Sequence, residues 1–317
     1  PNVRKGNGAS GWGDAATVIP WVLYHEYDDK VMLETQYQSM KGWVKYLKSR
    51  AKENYIYPGG RYGDWLSFSS TASDYPGAFT DKEFVGTAYF ARSTQLLAQA
   101  AQILGKEEDR KTYSELLSRI KQSFQKEFVT RNGRLSPNTQ TAYVLALSFD
   151  LLPEDIRKDA AQRLADDVRK FGHITTGFLG TPEICNVLSD YGHDDEAYML
   201  LFRKKFPSWL YPVTVGATTV WESWDAILPD GTFNKGSLNH FAYGAIGDWL
   251  FSRVAGIRQA EGSTAYKEIV IKPHFTTSLS FARATYYSMY GPISSHWQRT
   301  DTGLELHVSI PPNTTAQ

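Results

Sequence analysis

Hydrophobic residues recur every three to four positions through most of the first 255 residues, which is the spacing of an amphipathic helix. One such stripe, within residues 107–128, consists of Tyr113, Leu116, Leu117, Ile120 and Phe124. This spacing, with the residue types that begin and end helices, predicts nine helices, at 14–27, 29–52, 81–104, 107–128, 138–151, 153–171, 182–191, 194–204 and 238–254. Asp14 is expected to cap the first helix.

The pattern changes after Gly256. Partial two-residue alternation predicts strands at 268–273, 281–287, 293–297 and 303–310. Between the predicted helices lie glycine- and aromatic-rich loops, of which the longest covers residues 54–80. Loops of this length in compact domains are functional or disordered.

Helices in consecutive pairs, with such loops along one rim, predict a mainly α fold. We expect an (α/α)6 toroid or barrel over residues 1–255, followed by a small C-terminal antiparallel β module over residues 256–317. A complete toroid has six helix pairs, so the nine predicted helices suggest that its first helices lie before residue 1. The chain opens without an initiator Met or a signal segment, which we interpret as a piece of a larger protein with a truncated β domain.

Composition and charge narrow the class of function. Lys and Arg total 34, as do Asp and Glu, so no basic field favours nucleic acid or an anionic membrane. No apolar run is long enough to span a bilayer. Cys185 is the only cysteine, which excludes an internal disulfide and a cysteine metal cluster. We therefore predict no nucleic-acid or membrane partner, no metal and no cofactor.

The most informative stretch is Trp221-Glu222-Ser223-Trp224-Asp225, which places a carboxylate between two indoles and near a second carboxylate. Indole faces stack on the apolar faces of sugar rings. A carboxylate beside such a platform is what glycoside hydrolysis requires. The structural alternative is a pair of buried Trp residues with a solvated Glu between them, and these residues alone do not decide.

Three further clusters fall in predicted loops or at a helix start and could face one pocket. They are Gly11-Trp12-Gly13-Asp14, Gly63-Asp64-Trp65-Leu66 and the stretch 237–244 with Asn239 and His240. Each has a structural alternative, respectively a helix cap, a buried loop anchor and a structural histidine. Phosphate-binding glycine motifs, a Gly-x-Ser-x-Gly elbow and paired metal-ligand histidines do not occur. What remains is carboxylates with aromatics, the chemistry of sugar hydrolysis.

Together these motifs resemble those of the bacterial α-L-rhamnosidases of glycoside hydrolase family 78. The chain carries, in this order, Gly-Trp-Gly-Asp-Ala (11–15), Gly-Asp-Trp-Leu (63–66), Phe-Pro-Ser-Trp-Leu-Tyr (206–211), Gly-Ala-Thr-Thr-Val-Trp-Glu-Ser-Trp-Asp (216–225) and Ser-Leu-Asn-His-Phe-Ala-Tyr-Gly (237–244). The resemblance continues in Val-Ala-Gly-Ile-Arg (254–258), Ile-Lys-Pro-His (271–274) and Ile-Pro-Pro-Asn-Thr-Thr-Ala (310–316), so it covers nearly the whole chain. It implies an (α/α)6 catalytic barrel, a C-terminal β-sandwich and hydrolysis of terminal α-L-rhamnosyl groups with inversion.

Matched onto the family motifs, Glu222 is the expected general base. The residues expected to line the rhamnose subsite are Trp12, Asp14, Trp65 and His240. Supporting positions are Trp221, Trp224, Asp225 and Asn239, with Asp64 as a further substrate-binding candidate.

The general acid departs from the family pattern. In the family it is usually a Glu shortly before the Gly-Trp-x-Gly-Asp turn, but residues 4–10 contain no carboxylate and the turn is one residue shorter. We expect Asp14 to serve, with Asp64 and Asp225 as alternatives, unless another loop or upstream chain supplies the acid. Two other functions stay open: an inverting glycosidase for a different neutral or deoxy sugar, and a rhamnose-binding homologue that does not hydrolyse.

Overall fold

The computed structural model describes residues 8–67 and 79–317. Within them, the helices are α1 (Ala15–Tyr27), α2 (Lys30–Arg50), α3 (Lys82–Ile103), α4 (Glu107–Phe128), α5 (Gln140–Ser148), α6 (Glu154–Phe171), α7 (Thr181–Asp190), α8 (Asp194–Phe202), α9 (Leu210–Thr214), α10 (Phe241–Gly244) and α11 (Ile246–Trp249). The first eight confirm the predicted helices to within a few residues. The part of the predicted 54–80 loop at 68–78, and residues 4–7, lie outside the described residues.

Local chemistry explains where the long helices begin and end. The Asp81 carboxylate accepts hydrogen bonds from the Glu83 and Phe84 amides and so caps α3. Gly105, at φ +68°, adopts the left-handed conformation after that helix, as Gly172 does at φ +65° after α6. The predicted side-chain cap at Asp14 is wrong, because its carboxylate bonds elsewhere and only its backbone carbonyl receives the first-turn amides.

The predicted single helix at 238–254 is also wrong. In the structure, this segment contains α10, α11 and a π-helical turn at Leu250–Val254 instead of one continuous helix. The His240 amide donates to the Val220 carbonyl at 2.8 Å, so residue 240 is held against residue 220 and the helix begins only at Phe241. The spacing of hydrophobic residues along the chain does not predict such a long-range hydrogen bond, and so it did not predict the later start of the helix.

Contacts group the chain into two compact units, Pro1–Val18 with Tyr37–Gly244, and Ile19–Gln36 with Ala245–Gln317. In the first unit consecutive helices pair: α3 packs along α4, α5 along α6, and α7 along α8. The buried residues of α4 are Leu116, Ile120, Phe124 and Phe128. The Phe84 ring of α3 lies 4.9 Å from that of Phe124 and 5.2 Å from that of Phe128. Helical hairpins therefore form this unit, and phenylalanine rings pack between α3 and α4.

The second unit contains two three-stranded sheets. One comprises β1 (Ile257–Gln259), β2 (Glu268–Ile271) and β6 (Thr315–Ala316), and the other β3 (Phe281–Ser288), β4 (Gly291–Thr300) and β5 (Gly303–Ser309). All strand pairs are antiparallel except β2 with β6. Ile257, Ile269 and Ile293 form a core shared by both sheets, as expected for a small sandwich. No helix in residues 8–67 and 79–317 has the length and hydrophobicity of a membrane span.

Candidate active site

The turn before α1 is organised by a buried carboxylate. Asp14 Oδ2 accepts a hydrogen bond from the Gly11 amide at 2.7 Å. Its Oδ1 accepts from Trp43 Nε1 at 2.8 Å and from Ser93 Oγ at 2.5 Å. Burial outweighs these bonds and raises the pKa of Asp14 to about 6. Only 1% of Asp14 is exposed, so in this conformation its carboxyl group is enclosed by protein.

Trp12 projects outward from the same turn. It is 39% exposed, and its ring centroid lies 4.8 Å from that of Tyr62. Gly11, at φ +84°, lets the turn approach Leu179, since a Cβ atom there would lie 2.5 Å from Leu179 Cδ2. The turn is therefore held by the buried Asp14 carboxyl group and exposes the Trp12 indole to solvent.

Asp64 anchors a distant loop. Its carboxylate accepts hydrogen bonds from the Gly177 and Leu179 amides, both at 2.8 Å, and from Thr141 Oγ1 at 2.5 Å. Burial raises the pKa of Asp64, and none of the residue is exposed. The structural alternative, a buried loop anchor, describes Asp64, and in this structure it offers no surface for a sugar. Its neighbour Trp65 is half-buried, with its ring 5.6 Å from that of Tyr62.

The two indoles on either side of Glu222 are buried, at 3% exposure for Trp221 and 5% for Trp224. The Trp224 ring stacks on that of Tyr243 with centroids 3.8 Å apart, and meets the edge of Trp209. Their burial agrees with the structural alternative that the sequence left open, a pair of buried Trp residues, and the Trp224 ring is packed in the core. Glu222 itself is only partly buried, and its Oε2 accepts a hydrogen bond from the Ser237 amide at 2.8 Å.

The remaining predicted residues differ in their surroundings. The Asp225 carboxylate is held by protein groups, since Ser223 Oγ donates to Oδ1 at 2.6 Å and Asn234 Nδ2 donates to Oδ2 at 3.1 Å. Asn239 is exposed. His240 Nδ1 accepts from the Ala242 amide at 3.3 Å, which leaves Nε2–H as a hydrogen-bond donor.

A row of rings joins the clusters that the sequence singled out. Trp12 contacts Tyr62, and Tyr62 contacts Trp65. The Trp65 carbonyl accepts from the Phe178 amide at 2.8 Å, and the Phe178 ring stacks on that of His240 at 4.9 Å. Tyr243 lies 5.4 Å from Phe178 and continues the row to Trp224. Residues more than 200 positions apart thus belong to one assembly inside the first unit.

Sequence reasoning missed two members of this row of rings and two side chains that donate to Asp14. Tyr62 directly precedes the Gly63-Asp64 motif, which is a signal that could have found it. Phe178 lies in the connection before α7 and carries no pattern of its own. Trp43 and Ser93 lie inside α2 and α3, where they read as ordinary helix residues. No hydrogen bond among the described residues joins the carboxylates of Asp14, Asp64 and Glu222 to one another.

Comparison with known families assigns both parts of the chain. A family model described as the bacterial alpha-L-rhamnosidase 6 hairpin glycosidase domain matches residues 1–254. A second, described as the bacterial alpha-L-rhamnosidase C-terminal domain, matches residues 256–317.

Individual relatives agree with these models. A curated alpha-L-rhamnosidase of Streptomyces avermitilis is 44% identical over 98% of this chain and 29% of its own length. The crystal structure of a Streptomyces avermitilis alpha-L-rhamnosidase complexed with L-rhamnose superposes with a TM-score of 0.90 at 43% identity, over 100% of this chain and 30% of that one. The crystal structure of an Aspergillus terreus α-L-rhamnosidase superposes with a TM-score of 0.89 at 37% identity. The match covers 98% of this chain and 37% of that one. The chain thus spans about a third of the length of these relatives.

Proposed function

Since the chain belongs to the bacterial α-L-rhamnosidase family of six-hairpin glycosidases, we propose that it carries the catalytic domain of an inverting exo-α-L-rhamnosidase. The observation that supports this most is the partial exposure of Glu222 together with the hydrogen bond that its carboxylate accepts. Glu222 is a partly exposed carboxylate with one oxygen held by the Ser237 amide, in a segment that the ring row connects to Trp12 and His240.

Glu222 acts in this proposal as the general base. A base in an inverting glycosidase removes a proton from water as the water oxygen attacks the anomeric carbon. The Ser237 amide donates to Oε2, whereas none of the hydrogen bonds found among the described residues reaches Oε1, so Oε1 is the atom that takes the proton in this proposal. A positioned carboxylate of this kind contributes roughly a hundredfold or more to the rate.

The sugar is recognised by ring faces and one imidazole. Trp12 is exposed and backed by Tyr62, which fits the apolar face of a 6-deoxy sugar. The Nε2–H group of His240 is available to donate to a sugar hydroxyl, because its Nδ1 is occupied and Phe178 fixes its ring plane. Terminal rhamnosides of plant or polysaccharide origin are the proposed substrate class.

Two hypotheses compete for Asp14. Proton donation is supported by its pKa of about 6, which keeps the carboxyl partly protonated near neutral pH. Its burial and its three hydrogen bonds instead support a positioning role, in which Asp14 holds the turn that presents Trp12. We propose the positioning role, in which another carboxyl group serves as the acid.

Leaving-group dependence separates these two hypotheses. An acidic phenol leaves without protonation, whereas an alkyl alcohol needs a general acid. If Asp14 only positions Trp12, Asp14→Asn should lower the rates on nitrophenyl and alkyl α-L-rhamnosides by the same factor. A rate retained on the nitrophenyl substrate and lost on the alkyl substrate would instead identify Asp14 as the acid.

The function itself is tested with a panel of nitrophenyl glycosides on the full gene product. Turnover of the α-L-rhamnoside, with β-L-rhamnose as the first product by NMR and no internal cleavage of oligosaccharides, is the expected result. Hydrolysis of a non-rhamnoside alone would favour the runner-up, an inverting glycosidase for another neutral or deoxy sugar. Calorimetric binding of rhamnose without turnover would indicate a binding protein.

We also propose residues 1–255 as the catalytic domain and 256–317 as the β domain, a division supported by the limits of the two family models. The second compact unit nevertheless includes Ile19–Gln36. Within that unit, Tyr286 OH donates to Glu26 Oε2 at 3.1 Å and Gln259 Nε2 donates to the His25 carbonyl at 3.1 Å. Deleting 256–317 should therefore lower the melting temperature of the remainder, as differential scanning calorimetry would show.

A further inference from the structure

Glu222 and Ser237 are joined by two reciprocal hydrogen bonds. The Glu222 amide donates to the Ser237 carbonyl at 2.9 Å, and the Ser237 amide donates to Glu222 Oε2 at 2.8 Å. The His240 amide donates in turn to the Val220 carbonyl at 2.8 Å. The stretch 237–240 therefore runs antiparallel to 220–222 and holds both the main chain and one carboxylate oxygen of Glu222.

A small hairpin carries the chain from Glu222 back to Ser237. The Asn234 amide donates to the Ala226 carbonyl at 2.8 Å, and the Leu228 amide donates to the Thr232 carbonyl at 2.9 Å. Residues 227 and 233 pair as an isolated antiparallel bridge. The hairpin sets where Ser237 arrives, and so where its amide points.

Asp225 joins the two arms of this hairpin at its open end. Its Oδ1 accepts from Ser223 Oγ, its Oδ2 accepts from Asn234 Nδ2, and Lys235 Nζ lies 3.6 Å from Oδ2. Asn234 Nδ2 also donates to the Asp225 carbonyl at 3.2 Å. One carboxylate thus holds the two ends of the hairpin together.

Gly236 has a left-handed backbone conformation directly before Ser237 and lies beside Glu222. It adopts φ +80°, and a Cβ atom there would lie 3.4 Å from both Cβ and Oε2 of Glu222. Gly231, in the turn of the same hairpin, adopts φ +84°, but a Cβ atom there would meet nothing within 4 Å. The two glycines share a backbone conformation and differ in their proximity to Glu222.

We infer that Asp225 is a positioning residue, which orients Glu222 for water activation through the 226–234 hairpin and the Ser237 amide. This inference rests on the proposed role of Glu222 as the base. Holding Oε2 directs Oε1 toward the attacking water. The water oxygen then bonds to the anomeric carbon as its proton passes to Oε1, while the bond to the leaving oxygen breaks and the general acid protonates that oxygen.

The first test compares two carboxylates of one hairpin. Asp230 lies in the turn of the hairpin, where its Oδ1 accepts a hydrogen bond from the Thr232 amide at 2.9 Å, whereas Asp225 lies where the two arms of the hairpin begin and end. Asp225→Ala should lower kcat at least about thirtyfold and change KM less than about threefold, since misplacing a catalytic group by an ångström costs about a hundredfold. Asp230→Ala is the control and should leave kcat nearly unchanged. An equal loss in both variants, or a loss confined to KM, would overturn the inference.

The double variant decides whether Asp225 acts through Glu222. If it does, adding Asp225→Ala to Glu222→Gln should lower kcat no further, because residues that act as a unit are not additive. A multiplicative loss would contradict the inference. A wild-type protein without rhamnosidase activity, or an active Glu222→Gln variant, would instead refute the proposed function.

A glycine pair covers the case in which Asp225→Ala does not fold. Gly236→Ala should lower kcat at least about tenfold relative to Gly231→Ala, because both substitutions strain the backbone but only the first places that strain directly before Ser237, beside Glu222. Circular dichroism establishes that both variants are folded. Equal kcat values would refute the positioning role.

Discussion

The burial of Asp14 predicts a stability that depends on pH. Its pKa rises from an ordinary value of 3.8 to about 6 in the folded protein, chiefly because burial removes the carboxylate from water. A rise of this size corresponds to about 3 kcal/mol of folding free energy. Between these two values the folded state binds more protons than the unfolded state, so stability falls as pH rises through this window.

Asp14→Asn removes the titration but keeps most of the shape. The amide oxygen can still accept from Trp43 and Ser93, whereas the amide nitrogen would face the Gly11 N–H, at a cost of about 1–3 kcal/mol. At pH 3.5 the variant should therefore be less stable than the wild type by that amount. Between pH 3.5 and pH 7.5 the variant should gain about 3 kcal/mol relative to the wild type, because only the wild type carries a buried charge, so the difference should vanish or change sign.

Guanidinium denaturation from pH 3.5 to pH 7.5, followed by helical circular dichroism and tryptophan fluorescence, measures this difference. Ser49→Ala, on an exposed position of α2, serves as a control whose difference from the wild type should not vary with pH. A constant difference between wild type and Asp14→Asn would show that Asp14 is not a buried carboxyl with a raised pKa, and would refute the reasoning.

Other predictions concern catalysis and packing. Glu222→Gln should lower kcat at least about a hundredfold on an aryl α-L-rhamnoside while the protein stays folded, and a near-native rate would reject the base assignment. Trp12→Ala should raise KM about tenfold with a smaller change in kcat, because it removes an exposed sugar-stacking face, whereas Trp12→Phe should restore most of the affinity. Trp297→Phe should destabilise the second unit by about 1 kcal/mol or more in urea, since the buried Nε1–H bond to the Val254 carbonyl is lost, and an unchanged midpoint would contradict this.

Helix positions were largely predictable because the signals that specify them are local. The α4 stripe recurs within one element, and its predicted bounds coincide with Glu107–Phe128. Asp81 and Gly105 act within a few residues of the ends that they specify. The strands β1 and β6 were missed because runs of three and two residues are too short to show a period.

The site was predictable as a set of motifs but not as a geometry. The sequence left open whether Trp221 and Trp224 face a sugar or the core. Both are buried, and the rings of Tyr243 and Trp209 lie against that of Trp224. The sequence left two roles open for Asp64, a site carboxylate or a loop anchor. Its carboxylate is buried and accepts hydrogen bonds from the amides of Gly177 and Leu179, more than 110 positions away. Residue type and spacing cannot distinguish these outcomes.

The sequence by itself therefore determined the helical hairpins, the change to β structure near residue 256, and the family, since each depends on residue types and spacing along the chain. Only the tertiary structure decided which carboxylates are enclosed and which is partly exposed. Both carboxylate oxygens of Asp14 and of Asp64 accept hydrogen bonds from protein groups, some of them on distant helices and loops. Of the Glu222 carboxylate, only Oε2 accepts a hydrogen bond found among the described residues. Exposure depends on neighbours that long-range folding brings together, and the order of residues alone does not contain it.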